Sequence, residues 1–364
     1  MTFETLGSTP DLPSQIEVNS GPERYGTPFL ALLAKVAARI GAQVLVEPTF
    51  RIAGRITFKN ANVVYFRKKF FDINPLGSLE VGRDKHVTNF FLAEYGFKVP
   101  EEVAFVSGQR RGKDDARPRL EDAIAFARSI GYPVVVKPNL FTRGILVTKV
   151  FNDEELTEAA ERIFVKDDIA LVQRYYPLRD YRLVVLDDRV VSGYRRIPFT
   201  VVGDGRTTIR QLIEAKQAAA LRDKQEIDLD VDDFRIKANA ARAGFELDSV
   251  LPRDQRVQLL DNANTSNGGS GIDMTGKIAP EFEKIAVEVT RRMNLRLCGV
   301  DLMTEDVSTY SDNHIILEIN GAPGYVNAGE VKEEILEELY LEVLTTLERA
   351  GTKDTSASHP RALV

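Results

Sequence analysis

The chain has 364 residues, a formal net charge of −6 and a pI near 5.4, and 43% of its residues are hydrophobic. This composition is typical of a globular protein with two or three subdomains, and the acidic balance excludes non-specific binding to nucleic acid or to anionic membranes. A single cysteine excludes an intrachain disulfide, three scattered histidines argue against a zinc site, and no apolar stretch has the length of a membrane span. We therefore expect a cytoplasmic protein.

The first part of the chain is predicted to form a flexible arm followed by a small lobe. Residues 1–20 are rich in Ser, Thr, Pro and Glu, which is typical of a mobile segment. A helix is predicted over 28–40, and the alternation of apolar and polar residues over 52–66 predicts a β-hairpin. Residues 21–80 are therefore expected to form an α/β lobe of their own.

Helices and strands alternate along the central part of the chain. Apolar stripes predict helices over 83–95, 120–130 and 153–164. Apolar runs predict strands at 134–138 and 169–173, and a hairpin at 181–195. Residues 223–258 carry no pattern that assigns them to an element. Helices from Pro280 and over 330–350 complete the prediction, and residues 351–364 are expected to be a disordered tail.

Polar side chains interrupt two apolar strands late in the chain. Glu318 and Asn320 are two residues apart in one strand, so they point to the same face. Asp301 lies in a second apolar run that we expect to neighbour the first. Mg²⁺ prefers such oxygen ligands when substrate phosphates complete its shell. The three side chains therefore predict a metal site; the alternative is two polar groups at a strand end and an acid in a turn.

Two lysines are candidates for binding an anion. Lys137 ends the apolar strand 134–138, where an ammonium group is poorly solvated unless an anion meets it. The loop 138–144 follows at once and can lie over phosphates, and Lys85 offers a second ammonium group before a helix. The alternative for Lys137 is a side chain that reaches a surface acid, and for Lys85 a solvated charge at a helix end.

The segment after the strand 169–173 has the character of a nucleotide-binding hinge. Gln173, Arg174 and Tyr175 can present one backbone acceptor and one donor to an adenine edge. Asp180 and Arg182 share a face of the next strand, where Asp180 can accept from ribose hydroxyls and Arg182 can pair with a carboxylate or phosphate. The alternative is a surface ion pair between the two.

Two further segments offer groups for anions. One of the adjacent residues Arg195 and Arg196 is expected to point toward whatever the sheet covers, where a guanidinium group suits phosphate and carboxylate oxygens. The glycine-rich run 264–271 can turn several backbone N–H groups onto an anion, although flexible loops share its composition.

Taken in chain order, these residues resemble those of the ATP-grasp superfamily, most of all the ATP-grasp portion of cyanophycin synthetase and of the bifunctional glutathione synthetases. The likeness spans roughly residues 80–345 and rests on the motifs Gly131–Pro138, Val202–Ile209, Leu247–Pro252, Asn264–Gly271, Gly299–Leu302 and Glu318–Gly324. It implies an α/β (α+β) fold with an ATP-grasp domain at 81–350. In that domain a small subdomain, about 100–175, and a large catalytic one, about 176–350, clasp ATP.

The resemblance implies a role for each candidate residue. Those implied to bind ATP are Lys85, Lys137, Gly144, Gln173, Arg174, Tyr175, Asp180 and Arg182. Those implied in catalysis are Arg195, Arg196, Asn264 and Ser266, with Gly268 and Gly269 in a phosphate or substrate loop. The implied metal ligands are Asp301, Glu318 and Asn320. The implied cofactors are ATP and two Mg²⁺ ions, for which Mn²⁺ can substitute.

The implied reaction is ATP-dependent formation of an amide or peptide bond between a carboxylate and an amine, through an acyl phosphate, with release of ADP and phosphate. The expected substrates are small amino acids or peptide-like molecules, and homodimers are common in the superfamily. The chain lacks the Mur-ligase-like half of cyanophycin synthetase and the cysteine-ligase half of the bifunctional enzymes, so we expect a stand-alone ligase.

Two other functions stay open. The loop after Lys137 contains one glycine, Gly144, where relatives usually carry several. This departure favours a nucleotide-binding regulatory module that has lost turnover. Ligation of a non-peptide acid in natural-product biosynthesis is the second alternative.

Overall fold

The computed structural model describes residues 27–108, 116–222, 229–323 and 333–350. The predicted arm at 1–20 and the predicted tail at 351–364 lie outside the described residues, as does Gly324. The chain divides into two compact units, one formed by Met1–Asp72 with Tyr340–Val364 and the other by Ile73–Leu339. Within the described residues, no helix is both long enough and apolar enough to cross a membrane.

The first unit combines a helix near the start of the described chain and the C-terminal part of the last helix with an antiparallel sheet. Its elements are α1 (Thr27–Ile40), β1 (Gln43–Val46), β2 (Ala53–Thr57), β3 (Val63–Arg67) and β4 (Phe70–Phe71), with the strands in the order β1-β2-β3-β4. The pairing of β2 with β3 confirms the hairpin predicted over 52–66. The rings of Phe29, Phe71 and Tyr340 pack against one another with centroids 5.5 to 6.4 Å apart, which gives this unit its aromatic core.

The second unit begins with two helices where one was predicted. The structure has α2 (Leu76–Arg83) and α3 (Lys85–Glu94), so the helix expected over 83–95 begins at Lys85 instead. Asp84 separates the two helices because its extended backbone cannot continue α2, while its carboxylate accepts a hydrogen bond from Val87 N, at 2.9 Å, and so caps α3.

A four-stranded antiparallel sheet with two helices follows. Its elements are β5 (Glu102–Val106), α4 (Leu120–Ile130), β6 (Val134–Pro138), β7 (Thr148–Val150), α5 (Asp153–Phe164) and β8 (Ile169–Arg174), with the strands in the order β5-β8-β6-β7. The apolar stripes of the helices pack on the sheet around Phe105, Ala127, Leu156 and Ile163. The predicted strands at 134–138 and 169–173 and the predicted helices at 120–130 and 153–164 are confirmed.

A five-stranded antiparallel sheet forms the centre of the unit. Its strands are β9 (Arg179–Leu186), β10 (Arg189–Ile197), β13 (Ser270–Asp273), β14 (Leu297–Thr304) and β15 (His314–Asn320), in the order β13-β10-β9-β14-β15. One face of this sheet is apolar and packs Tyr181, Leu183 and Val300 against α8 (Pro280–Arg292). The opposite face is therefore available for polar side chains.

A small subdomain follows β10 in the chain and includes residues 229–258, the described part of the segment that carried no sequence prediction. It consists of β11 (Thr200–Val202), α6 (Ile209–Arg222), α7 (Phe234–Arg242), β12 (Arg256–Gln258) and a 3₁₀ turn (Thr265–Asn267), with β11 paired to β12. Its own core contains Ile213, Ile236, Leu251 and Val257.

The chain described ends with α9 (Glu333–Ala350). The architecture is mixed α/β, as the sequence predicts, and its sheets are antiparallel.

Candidate functional site

A row of charged side chains crosses the polar face of the central sheet. In the strand register Asp301 on β14 lies opposite Arg182 on β9 and opposite Glu318 on β15. Directly opposed side chains lie on one face of a sheet, with Cβ atoms roughly 5 Å apart. Leu302, the neighbour of Asp301, faces the apolar core, so the alternation of β14 turns Asp301 to the other side. The register therefore brings together two of the three predicted metal ligands.

Two arginines hold the carboxylate of Asp301. Arg182 donates from Nε and Nη2 to the two carboxylate oxygens, each at 2.6 Å. Arg196 Nη2 donates to Asp301 Oδ2 at 2.7 Å and to Asp180 Oδ1 at 2.8 Å. The predicted alternative of an ion pair between Asp180 and Arg182 is wrong, because each pairs with a residue on a neighbouring strand. The result is a network in which Asp301 is fully buried.

The third predicted ligand lies beside the second. Asn320 Nδ2 is 3.3 Å from Glu318 Oε1, as expected for two side chains on one face of β15. Among the residues that the structure describes, no three His, Cys, Asp or Glu side chains are grouped so that they could hold a metal ion. A metal in this position therefore requires amide or substrate oxygens in addition to the two carboxylates.

The two opposed acids have different proton affinities. Burial raises the pKa of Asp301 to about 6, although Arg182 and Arg196 favour its ionised form. Burial acts in the same direction on Glu318, but Lys85, a hydrogen bond with Asp301, Lys137 and Arg182 together hold the pKa of Glu318 well below its ordinary value. The three carboxylates of Asp180, Asp301 and Glu318 lie among four cationic side chains, those of Lys85, Lys137, Arg182 and Arg196, and together these groups form a charged cluster.

Lys137 is buried beside a neutral acceptor. Its Nζ donates to Gln173 Oε1 at 2.9 Å, and Gln173 Nε2 donates to Glu102 Oε2 at 2.8 Å. Because an ionised carboxylate only accepts, Glu102 fixes the Gln173 amide with its oxygen toward the lysine. Burial lowers the pKa of Lys137, while Glu318 and Glu102 oppose that shift. The side chain of Lys137 does not snorkel to the surface, and its hydrogen bond leaves the charge available to an anion.

The other end of this network is a histidine. His86 Nδ1 lies 3.1 Å from Glu102 Oε1, and the Glu102 side chain is only 4% exposed. Neither His86 nor Glu102 was predicted from the sequence to belong to the site. The available signal was the pair of acids at 101–102 before an apolar run, but their partners follow only from the pairing of β5 with β8.

Lys85 contacts the loop after Lys137. Its Nζ donates to Asn139 O at 3.1 Å and to Phe141 O at 2.6 Å. Its charge also lowers the pKa of Glu318. Both predicted phosphate-binding lysines therefore adjoin the start of this loop, and their roles toward ATP stay predictions.

The predicted hinge residues point in different directions. Arg174 Nε donates to Glu101 Oε1 at 2.8 Å, and the ammonium group of Lys149 lies 3.8 Å from the ring centroid of Tyr175. Only Gln173 of the three joins the Lys137 network. The side chain of Arg174 is engaged elsewhere and its backbone N–H donates to Glu101 O at 2.9 Å, so a role for Arg174 in nucleotide binding stays a prediction.

Arg196 and Arg195 lie on opposite faces of β10. Arg196 joins the acid cluster, whereas Arg195 is in register with Tyr181, a residue of the apolar face. Arg195 Nε is buried, and it has no hydrogen-bond partner among the described residues. Of the two arginines, the structure thus places Arg196 at the cluster, and Arg195, which the resemblance ranked with the site, stands apart from it.

The glycine-rich run forms a tight turn against Asn264. Asn267 N and Gly269 N both donate to Asn264 O, at 3.0 and 3.2 Å, so these two backbone groups are used within the loop and do not face an anion as expected. Ser266 Oγ lies 3.3 Å from Asn267 Oδ1. Gly268 has a positive φ of 83°, a conformation that favours glycine.

The chain matches two family models. Residues 91–225 match the D-ala D-ala ligase C-terminus, and residues 256–339 match the RimK-like ATP-grasp domain. Together these matches include the loop after Lys137, the central sheet and the strands that carry Asp301 and Glu318.

Curated relatives and a solved structure agree with these matches. Cyanophycin synthetase of Trichormus variabilis is 31% identical over 322 residues, which is 86% of this chain and 32% of the relative. The bifunctional glutathione biosynthesis protein of Mannheimia succiniciproducens is 31% identical over 267 residues, 69% of this chain and 33% of the relative. A crystal structure of a bifunctional glutathione synthetase from Pasteurella multocida superposes with a TM-score of 0.53 at 25% identity, covering 86% of this chain and 44% of that one. The chain spans about a third of the length of the curated relatives.

Proposed function

Because the chain belongs to the ATP-grasp superfamily, whose ligases use ATP and Mg²⁺, we propose that it is an ADP-forming carboxylate–amine ligase. Its fold is that of the superfamily, as the resemblance implied. The proposed substrates are a small amino acid or peptide-like carboxylate and an amine, and the proposed product is an amide or peptide.

The observation that carries this proposal is the register of the central sheet. It aligns Arg182, Asp301 and Glu318 in one row, and Lys137 is close enough to Glu318 to lower its pKa. Phosphoryl transfer depends on positioning and on neutralisation of phosphate charge more than on a nucleophilic side chain. A buried cluster that combines cationic side chains with hard oxygen donors is suited to that task.

The donor set fits Mg²⁺. Glu318 and Asn320 offer a carboxylate and an amide oxygen from one strand end, and Asp301 offers a second carboxylate directly opposite. Both oxygens of Asp301 accept from guanidinium groups, so an ion that binds Asp301 must displace part of that hydrogen bonding. When bound, Mg²⁺ supplies neutralisation of phosphate charge. We propose two ions, with Mn²⁺ able to substitute.

The chain's own residues have distinct tasks in the proposed reaction. Lys85, Lys137 and Arg196 bind the phosphates while an oxygen of the substrate carboxylate forms a bond to the γ-phosphorus and the bond to ADP breaks. The amine then forms a bond to the acyl carbon, the bond to phosphate breaks, and the proton of the amine leaves with that phosphate. The loop 139–147 excludes water, because an acyl phosphate otherwise hydrolyses.

Isotope transfer tests the proposal. Purified protein is incubated with ATP, Mg²⁺ and pooled amino acids and dipeptides, and mass spectrometry identifies any amide. The carboxylate that reacts is then supplied with ¹⁸O. We expect ADP, the amide and one ¹⁸O atom in the released phosphate, and none of these from Glu318→Ala. Release of AMP, or ¹⁸O in AMP, would overturn the acyl phosphate route.

The same assay separates the two alternatives. ATP binding without ADP formation across the panel supports a regulatory module. ADP formation only with non-peptide acids supports a ligase of natural-product biosynthesis. The loop after Lys137, whose single glycine favoured lost turnover, is held in a defined conformation by side chains.

A further inference from the structure

The loop 139–147 adopts a backbone conformation that its sequence does not favour. Arg143, Gly144 and Leu146 have positive φ values of 61°, 66° and 57°. Only one of these three is glycine, and residues with a side chain rarely hold this conformation unless their surroundings impose it. The loop therefore depends on contacts outside itself.

Three side chains of the small subdomain provide those contacts. Arg235 Nη1 donates to Gly144 O at 2.7 Å and to Val147 O at 3.3 Å. Asn262 Nδ2 donates to Gly144 O at 3.1 Å, and Asn267 Nδ2 donates to Arg143 O at 3.1 Å. We call Arg235, Asn262 and Asn267 the latch. The latch donates hydrogen bonds to the carbonyl groups of Arg143 and Gly144, two residues whose backbone has a positive φ.

Arg235 is itself held in place. Asp233 accepts from its Nη2 at 2.6 Å and from its Nε at 3.0 Å, and the Arg235 side chain is only 10% exposed. Asp233 also caps α7, the helix that carries Arg235. The guanidinium group is therefore rigid, and a rigid charged donor holds a carbonyl group better than a mobile one.

The latch also explains the single glycine of the loop. A Cβ atom at Gly144 would lie 2.7 Å from Cγ and Nδ2 of Asn262, in addition to the strain of its positive φ. The other positions of the loop carry side chains because the latch, rather than a run of glycines, maintains the backbone. The loop contacts Lys85 at its start and the latch at its end.

We propose that Arg235, with Asn262 and Asn267, is a positioning residue that keeps loop 139–147 in the conformation required to cover the phosphates of ATP. The covering of phosphates rests on the proposed function, whereas the latch itself does not. Loss of the latch lowers the population of the binding-competent loop, and the apparent affinity for ATP falls by the same factor.

Hydrogen exchange without nucleotide tests the latch directly. In Arg235→Ala and in Asn262→Ala we expect the amides of 143–147 to exchange about tenfold faster, because each variant removes a hydrogen bond that opposes local opening. Lys237→Ala is the matched control on the same helix, since Lys237 is exposed and pairs only with Asp232 among the described residues. Unchanged exchange of the loop in both test variants overturns the proposal, as does an equal increase in β14, which would indicate a general loss of structure.

Kinetics test the role of the latch. For Arg235→Ala we expect the KM for ATP to rise about tenfold with kcat within about threefold of the original value, and Arg235→Lys to restore part of that loss. A fall in kcat at constant KM contradicts the positioning role. If the wild-type protein forms no ADP with any substrate, the proposed function fails, and the exchange experiment still decides whether the latch exists.

Discussion

Asp301 and Glu318 face each other across β14 and β15, yet their surroundings shift their pKa values in opposite directions. Asp301 is fully buried and accepts hydrogen bonds from the guanidinium groups of Arg182 and Arg196. The Glu318 side chain is 27% exposed, and its Oε1 lies 3.8 Å from Arg182 Nη2. Asp301 is therefore held inside the sheet by its two guanidinium partners, and Glu318 is the carboxylate that a bound cation can reach first.

Asp301→Asn is expected to destabilise the fold. The amide offers one acceptor in place of two, which leaves Arg182 and Arg196 incompletely paired in a buried position. We expect the free energy of unfolding in urea to fall by about 3 kcal/mol, the usual effect of breaking a buried ion pair. Asp306→Asn is the control, because that acid is 51% exposed. A loss no larger than that of the control contradicts this assignment.

Glu318→Gln is expected to lower activity strongly. Because nearby cations hold the pKa of Glu318 well below its ordinary value, removal of its charge should also lower the free energy of unfolding at neutral pH. ADP formation should fall by about 10²–10³, the effect of losing one preorganised electrostatic group. A coupled assay for ADP at saturating Mg²⁺ measures this loss, and activity within tenfold of the wild type would remove Glu318 from the site.

The positions of strands and helices along the chain were easier to predict than which of these elements pack or pair with one another. Runs such as 134–138 and 297–302 are apolar enough to predict strands without other information. Arg182 and Asp301 are 119 residues apart in the chain, so their pairing depends on the order of strands in the sheet. The register of the strands also decides that Arg196, and not Arg195, lies beside the acids, and this register cannot be read from the sequence alone.

The helix α7 and the latch could not be predicted, because the sequence around them carries no pattern typical of these features. In α7 only Ile236 and Ala240 are buried, which is too few apolar positions to predict a helix. The latch joins residues about 90 to 124 positions apart, and its loop contains left-handed residues that local preference does not favour. The predicted boundaries of the subdomains, at about 100, 175 and 350, stay predictions.

Gln173→Glu is expected to weaken ATP binding. A carboxylate at this position would pair directly with Lys137 and lie opposite Glu102, so the ammonium charge would be neutralised before a phosphate arrives. We expect the KM for ATP to rise about tenfold. Gln173→Met is the control of similar size, because it removes the hydrogen bond without adding charge; its KM should stay within about threefold. Equal effects of both substitutions would contradict the charge argument.

The contact between His86 and Glu102 is expected to make stability depend on pH. The hydrogen bond with Glu102 raises the pKa of His86 above 6.5. The protonated histidine therefore stabilises the folded state below pH 6.5, and this contribution is lost as the pH rises through the raised pKa. Because half of the side chain is exposed, we expect His86→Gln to cost only about 0.5 kcal/mol at about pH 5.5 and nothing at about pH 9. Urea unfolding at both values measures the difference, and a larger loss at high pH would reverse the sign.

Gly269→Ala is expected to open the turn that carries Asn264 and Ser266. A Cβ atom at this position would lie 2.8 Å from two backbone oxygens, those of Asn264 and Ile197, and backbone cannot move aside as a side chain can. We expect a loss of about 1–3 kcal/mol in the free energy of unfolding, as for other overpacked sites. Gly108→Ala is the control, because a Cβ atom there would meet no atom of the described residues within 4 Å. If both variants unfold at the same urea concentration, the close approach seen at Gly269 does not constrain the turn; if only Gly269→Ala is destabilised, the turn requires glycine for its lack of a side chain.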